Sequence, residues 1–144
     1  GSTGACNVTA TSTSSTSMSI HGVDITSTAG IDVRGASAGQ GYIATPNTIS
    51  CPAITTTVNG DRVLGLFADS SANNGTYTAG AGGYVIDIQG AFGTAIESVI
   101  QTTAGSITPT ATNTVSSNFT TASLALKPPA SAATPPRRRP VAWR

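Results

Sequence analysis

Gly35-Ala36-Ser37-Ala38-Gly39 matches G-x-S-x-G, the pattern in which a sharp strand-to-helix elbow exposes a serine nucleophile. The only imidazole in the chain, His21, is the one base available to it. It precedes the serine, whereas that class of hydrolase runs serine, acid, histidine. The setting differs as well. Ser37 follows Ile31 to Arg34 and leads into Gln40-Gly41-Tyr42, with no helical pattern behind it. A loop is therefore the expected place of Ser37, and His21 reads as a polar residue at a strand end. A small secreted serine esterase, or another hydrolase, is the competing reading.

Carboxylate chemistry has six candidates: Asp24, Asp32, Asp61, Asp69, Asp87 and Glu97. Two acids at a suitable separation would serve glycoside hydrolysis, and acids in irregular loops are calcium-ligand positions. No Asp-x-Asp-x-Asp spacing exists, so each is expected to be a structural turn residue. No catalytic residue, metal ligand or cofactor is assigned. Cys6 and Cys51 are the whole thiol inventory. Without Cys-x-x-Cys and with one His, a zinc site lacks ligands, which leaves a disulfide or two buried thiols. The disulfide is preferred, and it places the chain outside a reducing cytoplasm. Glycan contact would use aromatic platforms. Tyr42 and Tyr77, in or beside expected loops, are the exposed candidates, while Phe67 and Phe119 belong to the core.

The elements that must position these groups follow from composition. Only 9% of the 144 residues are charged, against about 25% in ordinary domains. Hydroxyls must replace charges as solvating groups. Threonine, branched at Cβ, packs on a pleated surface, and helix formers are scarce. An all-β chain follows, with one domain of two sheets over residues 1–127. Val8, Ala10, Met18 and Ile20 recur at period two within Asn7 to His21, which suits a strand pair. Gly22 to Asn47 reads as a long loop with Ile31-Asp32-Val33 as its best short strand. Ala53 to Val58 reads as a strand ended by Asn59-Gly60, a hairpin signal. Arg62 to Ala68 is almost continuously apolar and is the expected central strand. Tyr84 to Gln89 alternates, with Tyr84, Ile86 and Ile88 on one face. Strands over Thr94 to Thr102, Ile107 to Thr114 and Phe119 to Lys127 complete the set, the last placing Ala122, Leu124 and Leu126 on one side.

Beyond Lys127 the chain turns to proline and arginine. Residues 128–144 read as an extended, polyproline-like tail or linker, whose Arg137, Arg138 and Arg139 could meet an anionic polymer, a phospholipid headgroup or a partner subunit. The net charge is +1, and the tail holds four of the seven basic residues. The body is therefore mildly acidic, which argues against a nucleic-acid-binding domain. No membrane-length apolar run or signal peptide is present, so the chain reads as a mature or excised segment.

The ordered series His21-Gly22-Val23-Asp24, Ile54-Thr55-Thr56-Thr57, Asp61 to Phe67, Thr76 to Gly82 and Leu124 to Pro128 resembles a poorly characterised β-sandwich module of large secreted bacterial proteins and phage virion proteins. The resemblance covers roughly Ser17 to Pro128. It implies a jelly-roll or immunoglobulin-like sandwich with an extracellular, cell-surface or virion location. It also implies display, adhesion or glycan contact, with no catalytic residues to carry over. Modules of that kind have further strands before the segment matching Asn7 to Val23, so this chain is expected to begin inside the domain. A missing strand leaves an unpaired edge, and self-association through that edge, the N-terminal segment or the tail is the expected consequence. A smaller, complete sandwich is the alternative.

Overall fold

The computed structural model describes residues 29–46, 48–70, 75–90 and 93–130, together with Thr11, Val23 and Ile25. The expected strand pair between Asn7 and His21, apart from Thr11, lies outside these residues, as do the tail arginines. The described residues form antiparallel β-sheets and contain no helix. The apolar run from Arg62 is strand β5 (Asp61–Asp69), and it takes the central position expected for it. On one side it pairs with β8 (Thr94–Gln101), and on the other with β11 (Ser117–Leu126). The larger sheet has the order β1 (Ile31–Arg34), β11, β5, β8, β7 (Val85–Gly90). Because β11 is ten residues long, it holds two partners on one edge: β1 at Leu124 to Leu126 and β2 (Ala38–Ile43) at Ser117 to Thr121. The short strand expected at Ile31-Asp32-Val33 is β1, and β2 adds a strand where a loop was expected.

Side-chain alternation gives this sheet two unlike faces. Val63, Phe67, Ala95, Phe119 and Ala125 are buried on the inward face. Ala122, Leu124 and Leu126 share one face, as expected, but it is the outward face and only partly excludes solvent; Phe119, Thr121, Ser123 and Ala125 are the buried side. Two smaller sheets supply the other wall of the core: β3 (Thr48–Ser50), β10 (Thr110–Asn113) and β6 (Tyr77–Ala79) in one, β4 (Ile54–Thr55) and β9 (Ser106–Ile107) in the other. Ile49, Cys51, Tyr77 and Ala111 pack with Phe67, Ala95 and Phe119 in one buried cluster. A second joins Ile54, Val63 and Ala125. On the outward side of the smaller sheet, Thr48, Thr112 and Thr78 lie in one cross-strand row, so hydroxyls do take the place of surface charge there.

Several expectations are corrected. The strand expected over Ile107 to Thr114 is split into β9 and β10, because buried Pro109 has no N–H to give the ladder; its carbonyl accepts instead from Cys51 N at 2.8 Å. The hairpin at Asn59-Gly60 does not form. Gly60 takes a φ of 85° in a turn, but β4 pairs with β9, and the turn carries the chain across to the larger sheet. Thr56 and Thr57 leave the ladder to bond Gln101 and Asp32. In β7 a register shift between Ile86 and Ile88 breaks simple alternation. Ile86 packs on the core, while Ile88 stands opposite Ile96 on the outward face.

The free edges of the smaller sheet are closed by side chains. The Gln40 amide donates to Ser50 O and accepts from Ser50 N, imitating a neighbouring strand. Gln89 Oε1 accepts from Tyr77 N at 3.0 Å. Truncating the core and surface aromatics should separate sharply. Phe67→Ala is expected to cost about 3–5 kcal/mol and Tyr42→Ala no more than about 0.5 kcal/mol, as read from urea unfolding midpoints.

Candidate functional site

Glu97 is the first group of chemical interest. It sits on the inward face of β8, directly opposite Gly65. A Cβ on Gly65 would lie 2.7 Å from the Pro109 Cβ and 3.1 Å from Glu97 Cγ, so the missing side chain makes the room the carboxyl occupies. Glu97 is fully buried. Its Oε2 accepts from Gly80 N at 3.1 Å, while Oε1 and the buried Tyr84 hydroxyl have no hydrogen-bond partner among the described residues. Burial raises the Glu97 carboxyl to about 7, against the pull of the Gly80 and Thr110 backbone bonds. Burial, with the Glu97 charge second, also pushes the Tyr84 phenol up. A carboxyl tuned to neutrality suits general acid–base work. Here it is enclosed by both walls of the core, and the visible role is to bind the end of β6 to β8.

A second acid pair lies at the start of β5. Asp61 is fully buried; its carboxyl oxygens meet no N–H or O–H donor among the described residues, and when protonated it bonds the Asp32 carboxyl. Asp32, on β1, has a side chain only 2% exposed and is paired with Lys127, whose Nζ lies 3.6 Å from Asp32 Oδ1. The Thr57 backbone N–H donates to Asp32 Oδ2 at 2.6 Å, and its hydroxyl donates to Oδ1. Burial, with Asp32 beside it, lifts Asp61 to about 6. The Thr57 hydroxyl and N–H hold Asp32 below the usual carboxylate range. Of the remaining acids, Asp87 pairs with Arg62 at 3.4 Å, and Asp24 lies outside the described residues. Among the described residues no three His, Cys, Asp or Glu side chains gather to hold a metal ion.

Ser37 is exposed between β1 and β2, and the segment behind it is strand β2, not the helix an elbow needs; His21 lies outside the described residues. Of the two aromatic candidates, Tyr42 is 70% exposed on β2. Tyr77 is not a surface residue. It is 3% exposed, its ring packs tilted against Phe67 and edge-on to Phe119, and its hydroxyl donates to Gly93 O at 2.9 Å. The glycine-rich stretch that suggested a loop begins at Gly80, beyond the end of β6, so Tyr77 stays within the strand. Cys51 is a free, buried thiol, raised to about 12 by burial; its expected partner Cys6 lies outside the described residues, as do Arg137, Arg138 and Arg139.

The sequence reading did not single out the outward face of the larger sheet. Leu64, Leu66, Ile96, Leu124 and Leu126 line an apolar cavity there of about 360 Å³, joined by Val23 and Ile25 from the preceding segment. Val85 and Ile100, on β7 and β8 of the same face, are 57% and 54% exposed. The signal was present in the even-numbered apolar residues of β5 and β11, which a sheet turns away from Val63, Phe67 and Phe119. No helix among the described residues is long and apolar enough to cross a membrane. Comparison of the chain with protein-family models, with curated proteins and with solved structures gives no match.

The buried acids set a pH dependence. Folding raises Glu97 from 4.5 to about 7 and Asp61 from 3.8 to about 6, so both favour the folded state when protonated. That contribution is complete below the unfolded values and is lost as pH rises through the folded ones. Asp32, held low, acts in the opposite sense in more acidic solution. The thermal midpoint should therefore peak near about pH 4–5 and fall toward pH 8. Glu97→Gln should flatten the upper part of that decline. A wild-type midpoint that holds level or rises from pH 5 to 8 would contradict this assignment.

Proposed function

We propose that this chain is a non-catalytic β-sandwich module of the extracellular space, the cell surface or a virion, and that it works by assembly with a second copy of itself. The sandwich, of jelly-roll or immunoglobulin-like type, comprises residues 1–127, and residues 128–144 extend from it. The observation that carries this reading is the outward face of the larger sheet. In a chain whose other outward sheet carries threonines, this one carries Leu64, Leu66, Ile96, Leu124 and Leu126 around a cavity, flanked by exposed Val85 and Ile100. Leu64 and Ile96 form the buried floor of that cavity, and an exposed apolar rim such as Val85 and Ile100 marks interaction sites.

A second copy is the occupant best supported. The edges of the smaller sheet are already closed by Gln40 and Gln89, which favours contact through the face of the larger sheet over strand addition there. A self-complementary apolar patch also suits a two-fold interface, in which the same residues meet each other. The setting rests on the resemblance of the ordered motifs to secreted and virion sandwich modules. Glycan contact through Tyr42 and the threonine row would be a use of the assembled surface, and the basic tail would remain available to an anionic partner.

Light scattering over a range of concentrations tests the reading. The wild-type chain should be a dimer or larger at micromolar concentration. Val85→Lys with Ile100→Lys should shift it to monomer with little change in thermal midpoint, since both residues are exposed. A wild-type monomer at every concentration would overturn the proposal.

A further inference from the structure

The arrangement of Lys127, Asp32 and Asp61 goes beyond an ion pair. A surface pair needs only its two charges, yet here a second, fully buried carboxyl, that of Asp61, stands beside the first and within hydrogen-bonding reach of it. We infer that the Lys127 amine and the Asp32 carboxyl are placed to condense into a side-chain amide, with Asp61 moving the proton between them.

Three observations support the chemistry. Lys127 Nζ lies 3.6 Å from Asp32 Oδ1, which holds the amine beside the carboxyl it would attack. The Thr57 N–H and hydroxyl donate to the two oxygens of Asp32. They are thus positioned to stabilise the negative charge that develops when the carbonyl carbon is attacked. The Asp32 and Asp61 side chains are almost completely removed from solvent, while that of Lys127 is 40% exposed; exclusion of water on the carboxyl side favours condensation over hydrolysis.

The step balances without any co-reactant. The Lys127 ammonium passes one proton to the Asp32 carboxylate, and the freed amine attacks Asp32 Cγ. Asp61, protonated, gives its proton to the departing Asp32 oxygen and takes one back from the Lys127 nitrogen. One Cγ–O bond breaks, one C–N bond forms, and a single water leaves with two protons from the original ammonium. The product joins β1, at the edge of the larger sheet, to the residue that follows β11. That junction is already held by Ala29 N to Lys127 O and Lys127 N to Gly30 O, so the cross-link asks for little movement of the backbone. Its effect would be to prevent the edge strand from peeling under load.

Intact mass measurement on the purified full chain, after thiol reduction, tests the inference. The wild-type chain should be lighter than its sequence by one water, and proteolysis should release a branched fragment joining the peptides that contain Asp32 and Lys127. Lys127→Arg keeps the ion pair and leaves the folding contacts in place, so it should have full sequence mass and no branched fragment. Asp61→Asn, checked for its β-sheet circular dichroism, should retain most of the uncondensed form. Full sequence mass in the wild type would overturn the inference, as would a lost water that persists in Lys127→Arg.

Discussion

The fold depends on the pairing of β5 with β8 and β11, because every other element takes its place from that triplet. The two ladders run the length of β5 without a register shift. In a sheet an unbroken register keeps each side chain on its face. Val63 and Phe67 therefore build the core, Gly65 leaves room in it for Glu97, and Leu64 and Leu66 look outward. The irregularities fall at the periphery, in the pairings of β1 and β2 with β11 and of β7 with β8. Irregular pairing at the margins of a sheet is common and re-aims the side chains there.

This division explains how a chain with so few charges both builds a core and turns an apolar face outward. Its inward acids are spent on structure: Glu97 binds the end of β6, and Asp32 with Thr57 fixes the crossing between the sheets. The outward side of the smaller sheet is wetted by threonine hydroxyls. Among the described residues, the larger sheet is the one that turns a cluster of aliphatic side chains outward, and Val23 and Ile25 cover them in part.

The sequence made the strand content and the centre of the fold readable, because β-branched residues and the run from Arg62 report local preference and burial directly. Its failures have physical causes. Asn59-Gly60 specifies a tight turn but not which sheet the chain enters next; the bonds of Thr56 and Thr57 to Gln101 and Asp32 decide that, and they span 25 residues or more. The alternation of Tyr84, Ile86 and Ile88 could not show a bulge at Asp87, where the side chain turns to Arg62. Tyr77 lay too near a glycine-rich stretch to be recognised as core. The buried acids were hidden most completely, since Asp32, Asp61 and Glu97 come from separate strands and look like turn or surface residues one at a time. Read by position, Asp61 ended a turn; read in space, it faces Asp32.

The central claim is that β5 serves two apolar surfaces, one filled by the core and one that receives a second copy of the chain. Nuclear magnetic resonance on a mixture of two differently labelled preparations measures this directly through intermolecular methyl contacts. The account predicts contacts between copies at the methyl groups of Val85 and Ile100, and none at Val63 or Ile49. Contacts confined within one chain at all four residues would contradict it.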